Sequence, residues 1–209
     1  MAEKETDQKQ KGFEVKTFPV PFASGEKKEN ITITTNTSSN PSKEQIINQA
    51  IKFHLKGNIS EAVKLYQYFI NQGFNDHRVF SNYAGILQGI GKLEAAAISL
   101  RKAIEIKPDF SEAHYNLGFI LKDLGNLQEA ELSYRKAIEI NPDFADAHLN
   151  LGIILEKLGN LQEAEVSTRK AIEIKPDYAL ARSILGIILK DLGNLQEAEV
   201  STRKAIEIK

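Results

Sequence analysis

The tract from Ser111 to Phe144, SEAHYNLGFILKDLGNLQEAELSYRKAIEINPDF, is repeated along the chain. Shifted by 34 residues, Ala145 to Tyr178 is identical at 24 of 34 positions. The frame continues forward to Ala179–Lys209, and backward without gaps to His77–Phe110 and, more faintly, to Lys43–Asp76. A period of this length commits a chain to units that stack only on their neighbours. Such an array offers an extended surface rather than an enclosed active site.

The repeat itself predicts a pair of helices. Leu117, Ile120, Leu121 and Leu124 recur at three- and four-residue spacing, which places them on one face of a first helix. Gly125 permits the left-handed turn that ends it, with Asn126 in the same turn. Leu127, Ala130, Tyr134, Ala137 and Ile138 form the stripe of a second helix, where small Ala130 and Ala137 let the two helices approach. Glu131, Arg135 and Glu139 lie four apart on its solvent side. Pro142 stops the second helix, and Asp143 is a candidate cap for the next one. One such hairpin cannot bury its apolar stripes alone, so the units must stack.

These residues also carry a resemblance. His114-x-x-Leu117-Gly118-x-x-Leu121, then Ala130-x-x-x-Tyr134, Ala137 and Pro142, resemble the tetratricopeptide repeat over about four-fifths of the chain. Histidine stands where the family's fourth position is usually a large aromatic, and Leu121 where tyrosine is common. The resemblance implies an all-α, right-handed superhelical solenoid of helix-turn-helix repeats. The expected units are 43–76, 77–110, 111–144, 145–178 and 179–209, behind an arm spanning residues 1–42. The first unit keeps Gly57, Ala62, Tyr66 and Ile70 but has Gln49 for leucine and Phe74 for proline. Such polar drift suits the end of a stack. Gly85 and Gly89 are expected to loosen the first helix of the second unit.

In the family the first helices line a concave groove, and positions two, five, nine, twelve and thirteen of each repeat face it. In the third unit these are Glu112, Tyr115, Phe119, Lys122 and Asp123. In the fourth they are Asp146, Leu149, Ile153, Glu156 and Lys157, and in the fifth Leu180, Ser183, Ile187, Lys190 and Asp191. Between the third and fourth units all five positions differ, against five of the other 29. Between the fourth and fifth, every difference falls in the first helix. The scaffold is copied while the groove varies, which points to binding, although drift after duplication would also leave differences. Asn48, Asn82, Asn116 and Asn150 all stand at position six, where related arrays, including that of the O-linked glycosyltransferase family, use asparagines to grip a peptide backbone. Local bonding is the other account of them, and Ile184 interrupts the ladder. The chaperone-type carboxylate clamp would require lysine at position five, where Ile47, Ser81, Tyr115, Leu149 and Ser183 stand.

The expected function is therefore protein–protein interaction without catalysis. An extended segment or helix of a protein or peptide ligand would lie among Tyr115, Phe119, Leu149, Ile153, Ile187, Lys122 and Asp146. The rival is the recognition half of a larger or truncated glycosyltransferase or sulfotransferase, since similar bacterial arrays often precede such domains. His114 and His148 share a repeat position and are expected to pack between helices rather than bind a metal, and no cofactor is implied. Glu129, Glu131, Glu163 and Glu165 read as solvated helix charges.

Composition narrows the partners. With 27 basic and 28 acidic residues the formal charge is −1, which argues against nucleic acid. There is no cysteine to form disulfides or thiolate metal sites. No apolar run approaches the ~20 residues of a membrane span, and MAEKETDQKQKG is unlike a secretory leader. Cytoplasmic residence is the expectation. In the arm, polar Met1–Gly12 and the Thr32–Ser42 run read as disordered, and Phe13–Phe22 (FEVKTFPVPF) reads as a docking motif or a tail packed on the first repeat. At the other end, the last second helix presents an apolar side. It is expected either to self-associate or to mark a truncated piece of a longer protein.

Overall fold

The computed structural model describes residues 41–208. The arm up to residue 40, with its Phe13–Phe22 motif, lies outside them. The described residues form ten helices and no strand. The first helices of the five hairpins are α1 (Lys43–Leu55), α3 (His77–Gly89), α5 (Ser111–Asp123), α7 (Ala145–Lys157) and α9 (Ala179–Asp191). The second helices are α2 (Ile59–Asn71), α4 (Leu93–Ile106), α6 (Leu127–Ile140), α8 (Leu161–Ile174) and α10 (Leu195–Glu207). Each first helix packs most extensively on the second helix that follows it, and each second helix packs less extensively on the next first helix. The result is a one-dimensional stack. Gly85 and Gly89 leave α3 a continuous helix of 13 residues.

The turn between paired helices works as the sequence predicts. Gly125 takes φ 80°, and its N–H donates to Lys122 O at 3.0 Å while Asn126 N–H donates to Leu121 O at 2.8 Å. This pair of bonds closes the C-terminus of α5. The Asn126 carbonyl then accepts from Ala130 N at 3.0 Å, so the same residue opens α6.

The two helices of a hairpin meet at a glycine. A Cβ on Gly118 would come within 2.9 Å of the Tyr134 ring, and one on Gly152 would collide with Thr168 Oγ1 and lie 3.2 Å from Ala164 O. Ala130, Ala137, Ala164 and Ala171 are fully buried beside these contacts. The side chain at position 24 thus rests on the backbone of the first helix. In the first two hairpins Ala50 and Ala84 occupy the glycine's place.

Two sequence expectations are corrected. Asp143 does not cap α7. The cap position is held by Phe144, without a side-chain bond, and Phe110 and Tyr178 do the same for α5 and α9. Pro142 already ends α6, and the large ring at the cap packs inward instead. Asp76 is the residue of that register that does cap, accepting from Arg78 N at 2.9 Å to open α3. The charge pairing also differs. Arg135 donates to Glu131 at 2.8 Å and to Glu163 of the next hairpin at 2.7 Å, while Glu139 pairs with Lys136 at 2.7 Å.

Two outcomes follow for stability. Gly152→Ala should destabilise the array by about 2 kcal/mol through overpacking, and Thr168→Ala in the same chain should recover part of the loss, both read by urea unfolding. At the joint between the first two hairpins, Arg78 pairs with Asp76 at 2.9 Å and with Glu44 at 2.8 Å. Burial raises the Asp76 carboxyl, but the bonds from Arg78 outweigh it and hold the group below the usual carboxylate range. Hydrogen bonding from Arg78 likewise lowers Glu44. Carboxyls depressed by folding stabilise above their unfolded pKa, and that contribution is lost as pH falls through the folded value. Hydrogen exchange in α1 and α2 should therefore rise below pH ~4 before that of α5–α8, and Asp76→Ala should produce the same loosening at neutral pH.

Candidate protein-binding face

Successive first helices touch one another, α5 with α7 and α7 with α9, and the described residues show no contact of that extent between successive second helices. The stack therefore curves with its first helices on the inside. Tyr115, Phe119, Lys122, Asp146 and Ile153 are half-buried on this side, and Ile187 is exposed. Leu149 does not belong with them. It is only 1 % exposed, packed with Ala171 and Ala181, so it supports the surface from beneath and no ligand can reach it. Helical phase puts position five at the edge of the interior, and the aliphatic side chain folds inward where tyrosine reaches out.

The half-buried residues form a connected polar and aromatic surface across three hairpins. The Tyr115 ring lies 4.8 Å from that of Phe144 and 5.8 Å from that of Tyr134. Its hydroxyl accepts from Asn150 Nδ2 at 3.2 Å, and the same amide nitrogen donates to the Asp146 carbonyl at 2.9 Å. Tyr178 donates its hydroxyl to Asp146 Oδ1 at 2.6 Å. Burial, reinforced by the Asp146 charge, pushes the Tyr115 phenol up to about 12. Burial also raises Tyr178, together with its bond to the Asp146 carboxylate. Both phenols are thus neutral hydrogen-bonding groups. Lys122 Nζ sits 4.1 Å over the Phe119 ring and 3.8 Å from Asp123. Its burial lowers the ammonium pKa, with Lys157 adding repulsion that Asp123 opposes.

The four asparagines are not equivalent. Asn150 has its amide donor engaged with Tyr115 and Asp146, and Asn82 lies near the buried Tyr66 hydroxyl of the preceding hairpin, which has no partner within hydrogen-bonding distance among the described residues. Asn48 is exposed near Glu44, and Asn116 is half-buried. Of the four, Asn150 thus braces a neighbouring unit. The histidines also take an unexpected role. His114 and His148 bond the carbonyls of Pro108 and Pro142 at 3.0 and 2.9 Å, and Arg182 does the same to Pro176 at 2.9 Å. A residue that can hydrogen-bond a helix-ending carbonyl is what position four requires here, which is why arginine replaces histidine there. No cluster of three or more His, Asp or Glu able to hold a metal occurs among the described residues, and none of their helices is long and apolar enough to cross a membrane.

Sequence reasoning missed a second periodic surface. Ile98, Leu132, Val166 and Val200 stand 34 residues apart on the outward side of the second helices, all exposed. Their signal was present, since position 22 varies among these units yet stays aliphatic. A recess of about 660 Å³ lies on that side between α6 and α8, with Ile138, Leu151, Leu155 and Val166 among its lining.

Comparison with known proteins agrees with this architecture. Two structures of the protein MamA share the fold: one, 26% identical, matches 76% of this chain and 92% of its own with a TM-score of 0.71. The other, from Desulfovibrio magneticus, is 18% identical over 79% of this chain and 94% of its own, with a TM-score of 0.73. YrrB, described as a TPR protein with an unusual peptide-binding site, is 21% identical over 80% of this chain and 87% of its own, again with a TM-score of 0.73. No curated protein matches the chain. Models of the TPR and tetratricopeptide repeat match residues 90–125, 120–159, 145–178 and 181–209, more than half of the chain. The chain belongs to the tetratricopeptide repeat family.

Proposed function

We propose that this protein binds an extended segment of a partner protein along the inner face of its first helices, between Tyr115 and Ile187. The observation that carries this reading is the division of labour between the helices. The second helices of the fourth and fifth hairpins repeat LGNLQEAEVSTRKAIEIK without change, while the inner face changes at nearly every reachable position. That face combines the rings of Tyr115 and Phe119, the aliphatic Ile153 and Ile187, and the charges of Lys122 and Asp146. Aromatic and aliphatic anchors beside a few oriented polar groups suit peptide recognition. YrrB, with the same fold, is described as having a peptide-binding site, though of an unusual kind.

The asparagine ladder contributes less than a uniform row of free amides would. Asn116 is half-buried and Asn48 is exposed beside Glu44, whereas Asn150 would first have to release Tyr115 and Asp146. Self-association through the exposed aliphatic side chains of α10, Leu195 and Ile206 among them, is a further part of this reading.

The test is selection of peptides from a random displayed library against the full chain, followed by affinity measurement on variants. Phe119→Ala and Ile153→Ala should each weaken the selected peptides about tenfold, a loss of ~1.4 kcal/mol, with helical content unchanged. Leu132→Asp on the outer side should leave the affinity intact. Peptides lost with Leu132→Asp and indifferent to Phe119→Ala would move the binding surface to the second helices and contradict the proposal.

A further inference from the structure

The second position of each repeat opens a first helix, and its charges are matched at one joint of the stack and unmatched at another. Glu44 in α1, Arg78 in α3, Glu112 in α5, Asp146 in α7 and Leu180 in α9 stand there, 34 residues apart. Arg78 Nη1 and Nη2 donate to the two carboxylate oxygens of Glu44 at 3.0 and 2.8 Å. The second position of one hairpin thus neutralises that of the hairpin before it. Asp146 has no such neighbour, because the uncharged Leu180 stands where a guanidinium would be.

Aromatic rings take the place of the cation. Among the described residues the bond to the Asp146 carboxylate comes from the Tyr178 hydroxyl, at 2.6 Å. The Tyr115 ring lies against Phe144 at 4.8 Å, and its hydroxyl is tied through the Asn150 amide to the first turn of α7, where Asp146 stands. An ammonium of the protein itself, Lys175 Nζ, lies 4.7 Å over the Tyr178 ring, and Asp146 is still left without an ion pair. A carboxylate in the first turn interacts favourably with its own helix wherever it points. The Tyr178 bond adds a direction, and a carboxylate that accepts about four hydrogen bonds retains room for further donors.

We propose that Asp146, beside the Tyr115 ring, seats an arginine side chain of the bound segment. The inference rests on the inner-face reading above and adds the chemistry of one ligand residue. A segment lying on this face would cover the half-buried Asp146, and covering a carboxylate without a cation leaves a buried, unpaired charge. Arginine meets both features of the place, since its planar fork bonds a carboxylate through two parallel N–H groups and its face stacks on aromatic rings. Glu112, half-buried and bonded by the Ser111 hydroxyl at 3.0 Å, adds a second negative charge at the preceding second position.

The test selects peptides from a random displayed library on the full chain and, in parallel, on Asp146→Asn. That variant keeps the side-chain shape and an acceptor for Tyr178 but removes the charge. Arginine should be enriched at one register of the peptides taken by the parent and not of those taken by the variant. In a synthetic peptide selected on the parent, citrulline in place of that arginine should weaken binding to the parent about tenfold and to Asp146→Asn hardly at all. A change in fold stability alone does not produce that coupling. Lysine at the same place should recover part of the loss, because an ammonium lacks the fork. Peptides that need Phe119 and Ile153 but show no arginine, or lose equally to both proteins with citrulline, overturn the proposal and leave the inner-face reading intact. Peptides indifferent to Phe119→Ala and Ile153→Ala overturn that reading and this proposal with it.

Discussion

Close approach of the two helices within each hairpin underlies everything else in this molecule. Gly118 and Gly152 let the side chain at position 24 lie on the backbone of the first helix, and the buried alanines at positions 20 and 27 keep the axes close. Interiors are packed densely enough that an added methyl at such a point must displace something. That tight pairing turns a 34-residue segment into a thin unit with two apolar sides, stable only between neighbours. The Gly-Asn turn and the arginine that reaches from one hairpin to the next then keep successive units in the same register.

A consequence for function follows from this geometry. The residues responsible for stacking occupy two sides of each first helix and leave a third side with no packing duty. Substitutions there leave the stacking contacts, and so the fold, unchanged. The contrast between an unchanged second helix and a changed first helix in the last two hairpins is what this freedom produces. Tyr115, Asn150, Asp146 and Tyr178 show that the inner face is also internally ordered, because their hydrogen bonds link α5, α7 and the cap residue of α9. A ligand would thus meet an arranged surface and not a set of loose side chains.

The architecture was legible because its signal is repeated. Hydrophobic spacing, the turn glycine and the terminal proline each recur in register, so an error in one unit is corrected by the others. The site was less legible because side-chain direction is a local matter. Leu149 and Tyr115 share a repeat position, yet the leucine folds into the interior and the tyrosine reaches the surface. Asn150 looked like its counterpart Asn116 until its partners across the hairpin boundary were placed. Asp143 has the composition of a helix cap but sits one residue too early, since Phe144 takes that place to bury its ring. The histidines at position four resembled packing residues, and only the neighbouring proline carbonyls reveal their hydrogen-bonding role. Exposed aliphatics on the second helices were hidden by the assumption that charged neighbours define a solvated face.

Backbone amide shift mapping by NMR, on the full chain with a saturating bound peptide, tests whether recognition occurs on the inner face of the first helices. The largest perturbations should then fall in α5, α7 and α9, around Phe119, Ile153 and Ile187, with α6 and α8 nearly silent. Perturbations concentrated in α4, α6 and α8 around Ile98, Leu132 and Val166 would contradict it and assign recognition to the outer aliphatic row.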